Sequence, residues 1–145
     1  MFKIVAITLL VALSGANASF WSACSGVGSN VVAPTSITSP SCVGDRCTVT
    51  RGQTLIANAV IPWTAAHQRL DVTILVFILG IGIPVQIDPQ HANACNSLVP
   101  GCPTVPGQSH TWTINMPVTP ETPAANNVRV RCELLIEILI IEIIF

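Results

Sequence analysis

Apolar and polar residues alternate along several short segments of this chain, and turn-forming residues separate the segments. The sequence contains 11 prolines and nine glycines, which leave no window long enough for a continuous helix. Alternation with a period of two places one set of side chains on a buried face and the other in solvent. The predicted strands lie at residues 31–37, 48–50, 54–61, 70–78, 110–118 and 128–134. Short strands at this spacing predict an all-β fold, an immunoglobulin-like antiparallel β-sandwich of two sheets.

The N-terminal segment, residues 1–18, has the parts of a secretory signal peptide. Lys3 supplies a positive charge, residues 4–13 are almost entirely apolar, and Ala16-Asn17-Ala18 is a small-x-small cleavage signal. A membrane anchor is the alternative, but a bilayer of about 30 Å takes roughly 20 apolar residues to span. We therefore predict that residues 1–18 are removed and that residues 19–145 form one secreted domain.

Secretion into an oxidising compartment makes an even number of cysteines a predicted disulfide framework. The six cysteines all follow the leader: Cys24, Cys42, Cys47, Cys95, Cys102 and Cys132. A turn-forming Gly-Asp stands between Cys42 and Cys47. A Pro-Gly stands between Cys95 and Cys102, so both pairs can reach bridging distance. Cys24 and Cys132 remain as a possible long-range bridge. In the loop-entropy model such a bridge would stabilise the folded state by about 4 kcal/mol. A zinc site is less favoured, because zinc-binding cysteines usually occur as two pairs with about two to four residues between the members of each pair, and this chain lacks that arrangement.

Charge and aromatic content argue against a nucleic-acid partner. Six Lys and Arg stand against seven Asp and Glu, which leaves no excess of basic residues for phosphate binding. The chain has no Tyr and three Trp, too few for a platform on which bases stack.

The sequence lacks a recognisable catalytic or cofactor-binding motif. His67, His91 and His110 do not have metal-ligand spacing, and no Gly-x-Ser-x-Gly segment is found. Gly80-x-Gly82 lacks the third glycine and the following helix of a phosphate-binding loop. We therefore predict a protein that is not an enzyme and that holds no metal or cofactor. A secreted hydrolase with a dispersed catalytic triad is the alternative.

Short motifs follow one another in a characteristic order between residues 24 and 134. In chain order they are Cys24, the pair Cys42 and Cys47, Arg51-Gly52-Gln53, Gly82-Ile83-Pro84-Val85, Cys95, Cys102-Pro103, Gly107-Gln108, Met116-Pro117-Val118 and Pro123. This ordered set resembles the ML domain, a family of lipid-recognition proteins that includes the Niemann-Pick type C second protein and the mite group-two allergens.

The resemblance implies that the two sheets splay apart around an apolar cavity that holds a sterol, a fatty acid or another lipid. It places Ile87 where sterol carriers have a pocket aromatic, and Val118 and Pro123 near the entrance. Thr122 stands where sterol carriers often have a tyrosine, so the resemblance implies a less bulky side chain at the cavity entrance of this chain. The candidate lipid-binding residues are Leu55, Ala57, Ala59, Ile61, Ile74, Val76, Val85, Ile87, Trp112, Ile114, Met116, Val118, Thr122, Pro123, Val128 and Val130.

Side-chain size and polarity add two expectations of their own. Ala57 and Ala59 are small for the centre of a packed strand, which favours unfilled space, although alternation alone is equally compatible with a filled core. An outward row of large apolar residues predicts an association surface for a membrane, a partner protein or a second copy. The row consists of Leu75, Phe77 and Leu79.

The C-terminal residues 134–145 depart from the family pattern. They are mostly apolar and contain no Gly, Pro, Asn or Asp to form a turn. Glu137 and Glu142 have opposite parity, so a single flat strand would bury one of them. A slipped register, a bulge and an incomplete terminus stay open, as does the pairing of Cys24 with Cys132.

Together these features predict a secreted, non-catalytic lipid-binding and transport protein, located outside the cell or in the lysosomal lumen. Its predicted ligand is an apolar lipid, a sterol or a fatty acid, and its predicted acceptor is a membrane or a membrane protein. Three uses are open: sterol transport, recognition of microbial lipids in innate immunity, and carriage of semiochemicals. The alternative of another class is a β-sandwich interaction domain with a filled core that acts through its surface.

Overall fold

The computed structural model describes residues 19–23, 32–121, 128–135 and 139–144. Within these ranges the chain forms strands and one short 3₁₀ helix, Ala94–Ser97. No helix in the described part of the chain is long and apolar enough to cross a membrane. The strands are β1 (Trp21–Ala23), β2 (Ser36–Thr38), β3 (Cys42–Val43), β4 (Arg46–Cys47), β5 (Thr54–Pro62), β6 (Asp71–Ile78), β7 (Ile81–Pro84), β8 (Leu98–Val99), β9 (Ser109–Pro117), β10 (Arg129–Leu135) and β11 (Leu139–Ile144).

Two antiparallel sheets face each other and form the domain. One sheet has four strands in the order β2-β5-β9-β8, and the other has five in the order β1-β11-β10-β6-β7. Strands β3 and β4 form a separate two-stranded ribbon. Burial alternates along β5 and β9, and Ala57 pairs in register with Ile114 on the inner face. The predicted antiparallel β-sandwich is therefore confirmed.

Large side chains fill the sandwich at the end where β5 finishes and β9 begins. Trp63 and Trp112 are 1% and 2% exposed, and the ring of His67 lies edge-on to Trp63 with centroids 5.6 Å apart. Leu70 and Leu98 are also buried in this core. Because two indole rings occupy the space between the layers here, this end of the sandwich is closed.

His110 is held in the closed end by two hydrogen bonds to the backbone. Its Nδ1 donates to the carbonyl oxygen of Pro100 at 2.8 Å, and its Nε2 accepts from the N–H of Val105 at 3.2 Å. The tautomer with the proton on Nδ1 satisfies both partners, which matches the 1% exposure of the side chain. These contacts give His110 a structural role.

Two of the predicted disulfides are confirmed. Cys42 is bonded to Cys47 across the β3–β4 ribbon, and Cys95 is bonded to Cys102. Cys132 is buried on β10, whereas Cys24 lies outside the described residues. The bridge between these last two cysteines therefore stays a prediction.

Local strand predictions differ from the structure at three places. Residues 48–50 do not form a strand. The N–H of Thr48 donates to the oxygen of Ser41 at 2.9 Å, and the oxygen of Thr50 accepts from the N–H of Gln53 within a turn. In the described part of the predicted strand 31–37, only residues 36 and 37 belong to β2. Strand β7 is not among the predicted strands, and Gly80 forms the tight turn that joins it to β6, with a φ of +79°.

The apolar C-terminal segment supplies an interior strand of the five-stranded sheet. Strand β11 lies between β1 and β10, with Leu134 opposite Leu139 and Val130 opposite Ile143. Isoleucine has a high preference for β-strands, which agrees with this assignment. Residues 136–138, Glu137 included, lie outside the described residues.

The predicted outward row is exposed at only one end. Leu75 and Phe77 are half-buried, and the guanidinium carbon of Arg131 lies 4.9 Å from the centre of the Phe77 ring. Leu79 is 96% exposed at the β6–β7 turn, and Ile81 beyond it is 67% exposed. The exposed apolar surface is therefore the hairpin tip, residues 79–81, and not the whole row.

Candidate functional site

A cavity of about 1060 Å³ opens between the sheets at the end opposite the two buried tryptophans. Its walls come from the end of β6 and the start of β10 in one sheet and from the end of β9 in the other. Strand β4 and residues 48–51 supply a further wall. Pockets for drug-sized ligands measure roughly 300–1000 Å³, so this cavity has room for a molecule of lipid size.

The inner walls of the cavity are apolar. Val76 and Val130 are register partners on β6 and β10, and Met116 faces them from β9. These side chains are smaller than the indole rings at the closed end, so they do not fill the space between the layers. Further apolar lining comes from Cys47, Val49, Ile78, Ile83, Pro84, Val85, Pro117, Val118 and Val128.

Polar residues surround the opening of the cavity. Every polar lining residue in the described part of the chain is solvent-exposed, whereas the buried lining residues are Cys47, Met116 and Val130. The polar set, called the mouth below, consists of Arg46, Thr48, Thr50, Arg51, Gln86, Thr119 and Glu121. Polar groups therefore meet water at the mouth, and apolar groups surround the interior.

A turn that contains Gly52 connects one side of the mouth to the segment that follows β9. Gly52 has a φ of +84°, which a residue without a Cβ adopts at little cost. Its N–H donates to the oxygen of Val118 at 2.6 Å, and the N–H of Val118 donates to the oxygen of Gln53 at 2.8 Å. Arg51 is thereby held next to the segment that continues to Glu121.

The other side of the mouth is fixed by the disulfide-bonded ribbon. Arg46 pairs with Val43 next to the Cys42–Cys47 bridge, and Gly44 makes the turn with a φ of +63°. Cys47 is 3% exposed and itself lines the cavity. A buried, cross-linked neighbour leaves the backbone of Arg46 little freedom to move away from the opening.

The structure divides the predicted lipid-binding residues into three groups. Those that line the cavity are Val76, Val85, Met116, Val118, Val128 and Val130. Those that pack in or against the hydrophobic core, away from the lining, are Leu55, Ala57, Ala59, Ile61, Ile74, Ile87, Trp112 and Ile114. Thr122 and Pro123 lie outside the described residues. Ala57 and Ala59 are 0% exposed, so the open space lies elsewhere than beside these alanines.

Several lining residues were not among the candidates from the sequence. Ile78 shares the parity of Val76 on β6, so the alternation itself could have identified it. Arg46, Arg51 and Glu121 carried no comparable signal, because the folding of turns and a ribbon, rather than a periodic pattern, brings them to the mouth.

The arrangement suits binding of an amphiphilic molecule. Apolar walls favour a hydrocarbon body, and an exposed polar mouth can solvate or contact a head group. His67, His91 and His110 are not among the described lining residues of the cavity. In the described part of the chain, no group of three or more His, Cys, Asp or Glu side chains is placed to hold a metal ion.

Comparisons with known proteins agree with this geometry. The family model described as the ML domain matches residues 18–137. The fold is similar to the crystal structure of a Niemann-Pick type C2 protein from Japanese carpenter ant, with a TM-score of 0.66 and 16% sequence identity over 81% of this chain and 92% of that chain. No curated protein matches the sequence. The family model spans most of the chain, and the protein therefore belongs to the ML domain family of lipid-recognition proteins.

Proposed function

We propose that this protein is a secreted, non-catalytic lipid carrier that holds one apolar or amphiphilic lipid in the cavity between its sheets. The single observation that carries the proposal is the cavity of about 1060 Å³ with apolar walls and an exposed polar mouth. Membership of the ML domain family supports the same conclusion. Ligand recognition would rest on shape and on burial of hydrocarbon, which is non-directional and tolerates related ligands.

The expected affinity is compatible with release of the ligand. A lipid of roughly 20 to 28 non-hydrogen atoms, at about 0.3 kcal/mol per atom, gains about 6 to 8 kcal/mol on binding. That free energy corresponds to dissociation constants from about 40 μM down to about 1 μM. A carrier of this affinity can load at one membrane and unload at another without a chemical step.

The acceptor in this proposal is a lipid membrane or a membrane protein. Ile83 is 47% exposed and lines the cavity, and Gly82 alone separates it from the exposed hairpin tip at residues 79–81. An apolar surface continuous with the cavity gives a lipid a path that avoids water. This continuity favours transfer during contact with a membrane over release into solution.

Secretion, or delivery to the lysosomal lumen, is part of the proposal. It rests on the signal-peptide features of residues 1–18 and on two disulfides, which persist in oxidising compartments. Sterol transport, recognition of microbial lipids and carriage of semiochemicals all use the same binding event. The alternative of a surface-acting sandwich with a filled core is disfavoured by the open end of the domain.

Lipid analysis of the secreted protein tests the proposal. The protein is purified under native conditions and extracted, and the extract is examined by mass spectrometry. In parallel, a neutral fluorescent apolar probe is displaced by a series of lipids, including cholesterol. A stoichiometric copurified lipid or saturable displacement supports the carrier. The absence of any extracted lipid, together with no displacement by any lipid of the series, would contradict it.

A further inference from the structure

We propose that Arg46 and Arg51 form a binding site for an anionic lipid head group, so that the cavity prefers a long-chain acid over the neutral alcohol of the same chain. This inference rests on the proposed lipid-binding function and concerns the same cavity. Both arginines belong to the exposed mouth, above walls of valine and methionine. A ligand with its hydrocarbon inside would place its head group beside them.

The two guanidinium groups are available to a ligand. Neither Arg46 nor Arg51 has an ion pair or a side-chain hydrogen bond with any described residue. Two other arginines already have contacts: Nε of Arg69 lies 2.7 Å from Oδ1 of Asp71, and Arg131 lies over the ring of Phe77. The arginines at the mouth therefore keep their donors unengaged within the described structure.

The backbone of both arginines is held in place before a ligand arrives. Arg46 stands in the disulfide-bonded ribbon, one residue before the buried Cys47. Arg51 stands before Gly52, whose N–H is bonded to Val118. Donors on a constrained backbone lose less conformational entropy when they bind, so more of the interaction energy appears as affinity.

The chemistry of the mouth selects an anion. A guanidinium group donates two parallel N–H bonds to a carboxylate or a phosphate, and such charge-assisted bonds are stronger than those to a neutral hydroxyl. Glu121 is the one acidic residue among the described lining residues, so the mouth keeps a net positive charge. The shared ligand chemistry is an anionic group on a single long hydrocarbon chain. A fatty acid and an alkyl phosphate both supply it.

A matched set of ligands tests the inference on the unmodified protein. Hexadecanoic acid, hexadecan-1-ol and hexadecyl phosphate compete separately against a neutral fluorescent probe, at low and at high salt. We expect the acid to bind about threefold to tenfold more tightly than the alcohol at low salt, because the site is exposed and its charges are partly screened. The advantage should shrink at high salt, where the Debye length falls to about 3 Å at 1 M. The acid and phosphate arms decide which anionic head group is preferred.

Variants assign the preference to the two arginines. In Arg46→Gln/Arg51→Gln the acid should lose its advantage while the alcohol binds as before. Arg46→Lys/Arg51→Lys keeps the charges but loses the paired guanidinium donors, so it should keep only part of the preference. Arg69→Gln, which removes an arginine outside the cavity lining, is the matched control and should change nothing. Circular dichroism melting checks that each variant is folded.

The outcomes separate this inference from the proposed function. Equal binding of acid and alcohol by the unmodified protein overturns the anion site and leaves the lipid carrier intact. Equal loss of both ligands in the double glutamine variant also overturns it, because the arginines would then support the shape of the cavity and not the head group. Failure of all three ligands and of cholesterol to displace the probe, together with the absence of any copurified lipid, overturns the lipid carrier itself.

Discussion

The backbone N–H of Gly52 donates to the carbonyl oxygen of Val118 over 2.6 Å, and this bond connects the turn before β5 to the segment after β9. Both residues lie at the open end of the sandwich, where Val118 lines the cavity. The turn requires a positive φ at Gly52, +84°, although a Cβ there would have nothing within 4 Å. The position is therefore restricted by backbone conformation and not by space.

Gly52→Ala should lower the free energy of unfolding by about 1 to 2 kcal/mol, since a residue with a Cβ is strained in the left-handed region. Chemical denaturation measures the change. We also expect weaker lipid binding, because the turn carries Arg51 at the mouth. Gly101→Ala is the control: a Cβ there meets only the oxygen of Leu98 at 3.9 Å, and its φ is not positive. Equal stability of the two variants would contradict the role assigned to the turn.

The cavity and the packed core of the sandwich should respond in opposite ways to larger side chains. Val76→Trp places an indole ring in empty space, so we expect lipid affinity to fall about tenfold or more with little loss of stability. Ala57→Leu adds volume to a position that is 0% exposed in the packed core. Overpacking there should cost about 1 to 3 kcal/mol of stability.

Probe displacement and thermal melting, applied to both variants, check this contrast. A filled core throughout the sandwich would make Val76→Trp as destabilising as Ala57→Leu. Unchanged lipid affinity in a folded Val76→Trp protein would show that the ligand lies outside this cavity.

The strands were predictable because alternation is a local property of the sequence. The segments 54–61, 70–78 and 110–118 agree with β5, β6 and β9 to within one residue at each end. The position of the empty space was not predictable in the same way. It depends on which side chains face each other across the two sheets. The small residues from which the sequence predicted unfilled space, Ala57 and Ala59 on β5, lie in the packed core.

The contrast between the two ends comes from residues far apart in sequence. Trp63 and Trp112 close one end, whereas Val76, Met116 and Val130 leave the other open. The arginines of the mouth were not predicted as site residues, because their placement depends on a disulfide-bonded ribbon and a glycine turn. Their sequence neighbours indicate a turn but give no information about what the turn faces.

The third disulfide is the next prediction. Cys132 is buried on β10, next to β11, and β11 pairs with β1 at Trp21–Ala23, immediately before Cys24. Strand β11 lies between β10 and β1, and two strand spacings of about 4.8 Å each exceed the Cα separation of roughly 7 Å that a disulfide can span. The predicted bridge between Cys24 and Cys132 therefore rests on the even number of cysteines and not on the sheet order. In the loop-entropy model, Cys24→Ser should remove roughly 4 kcal/mol of stability, because the bridge closes most of the chain into one loop.

Mass spectrometry of the unreduced, digested protein checks the pairing directly. The expected products are three bridged peptide pairs, two of them containing the Cys42–Cys47 and Cys95–Cys102 bonds. Alkylation of Cys24 and Cys132 in the unreduced, unfolded protein would contradict the third bridge.

The hairpin tip gives the last prediction. Leu79 is 96% exposed, and burial of a leucine side chain in an apolar phase is worth about 1.5 to 3 kcal/mol. Leu79→Asp should therefore slow lipid transfer between vesicles about tenfold while equilibrium binding of the lipid is kept, because the side chain is not part of the cavity lining. Val99→Asp is the matched control, since Val99 is 71% exposed on β8, in the other sheet. A fluorescence assay of transfer between donor and acceptor vesicles measures the rate. If both variants transfer lipid as fast as the unmodified protein, the tip is not the membrane contact.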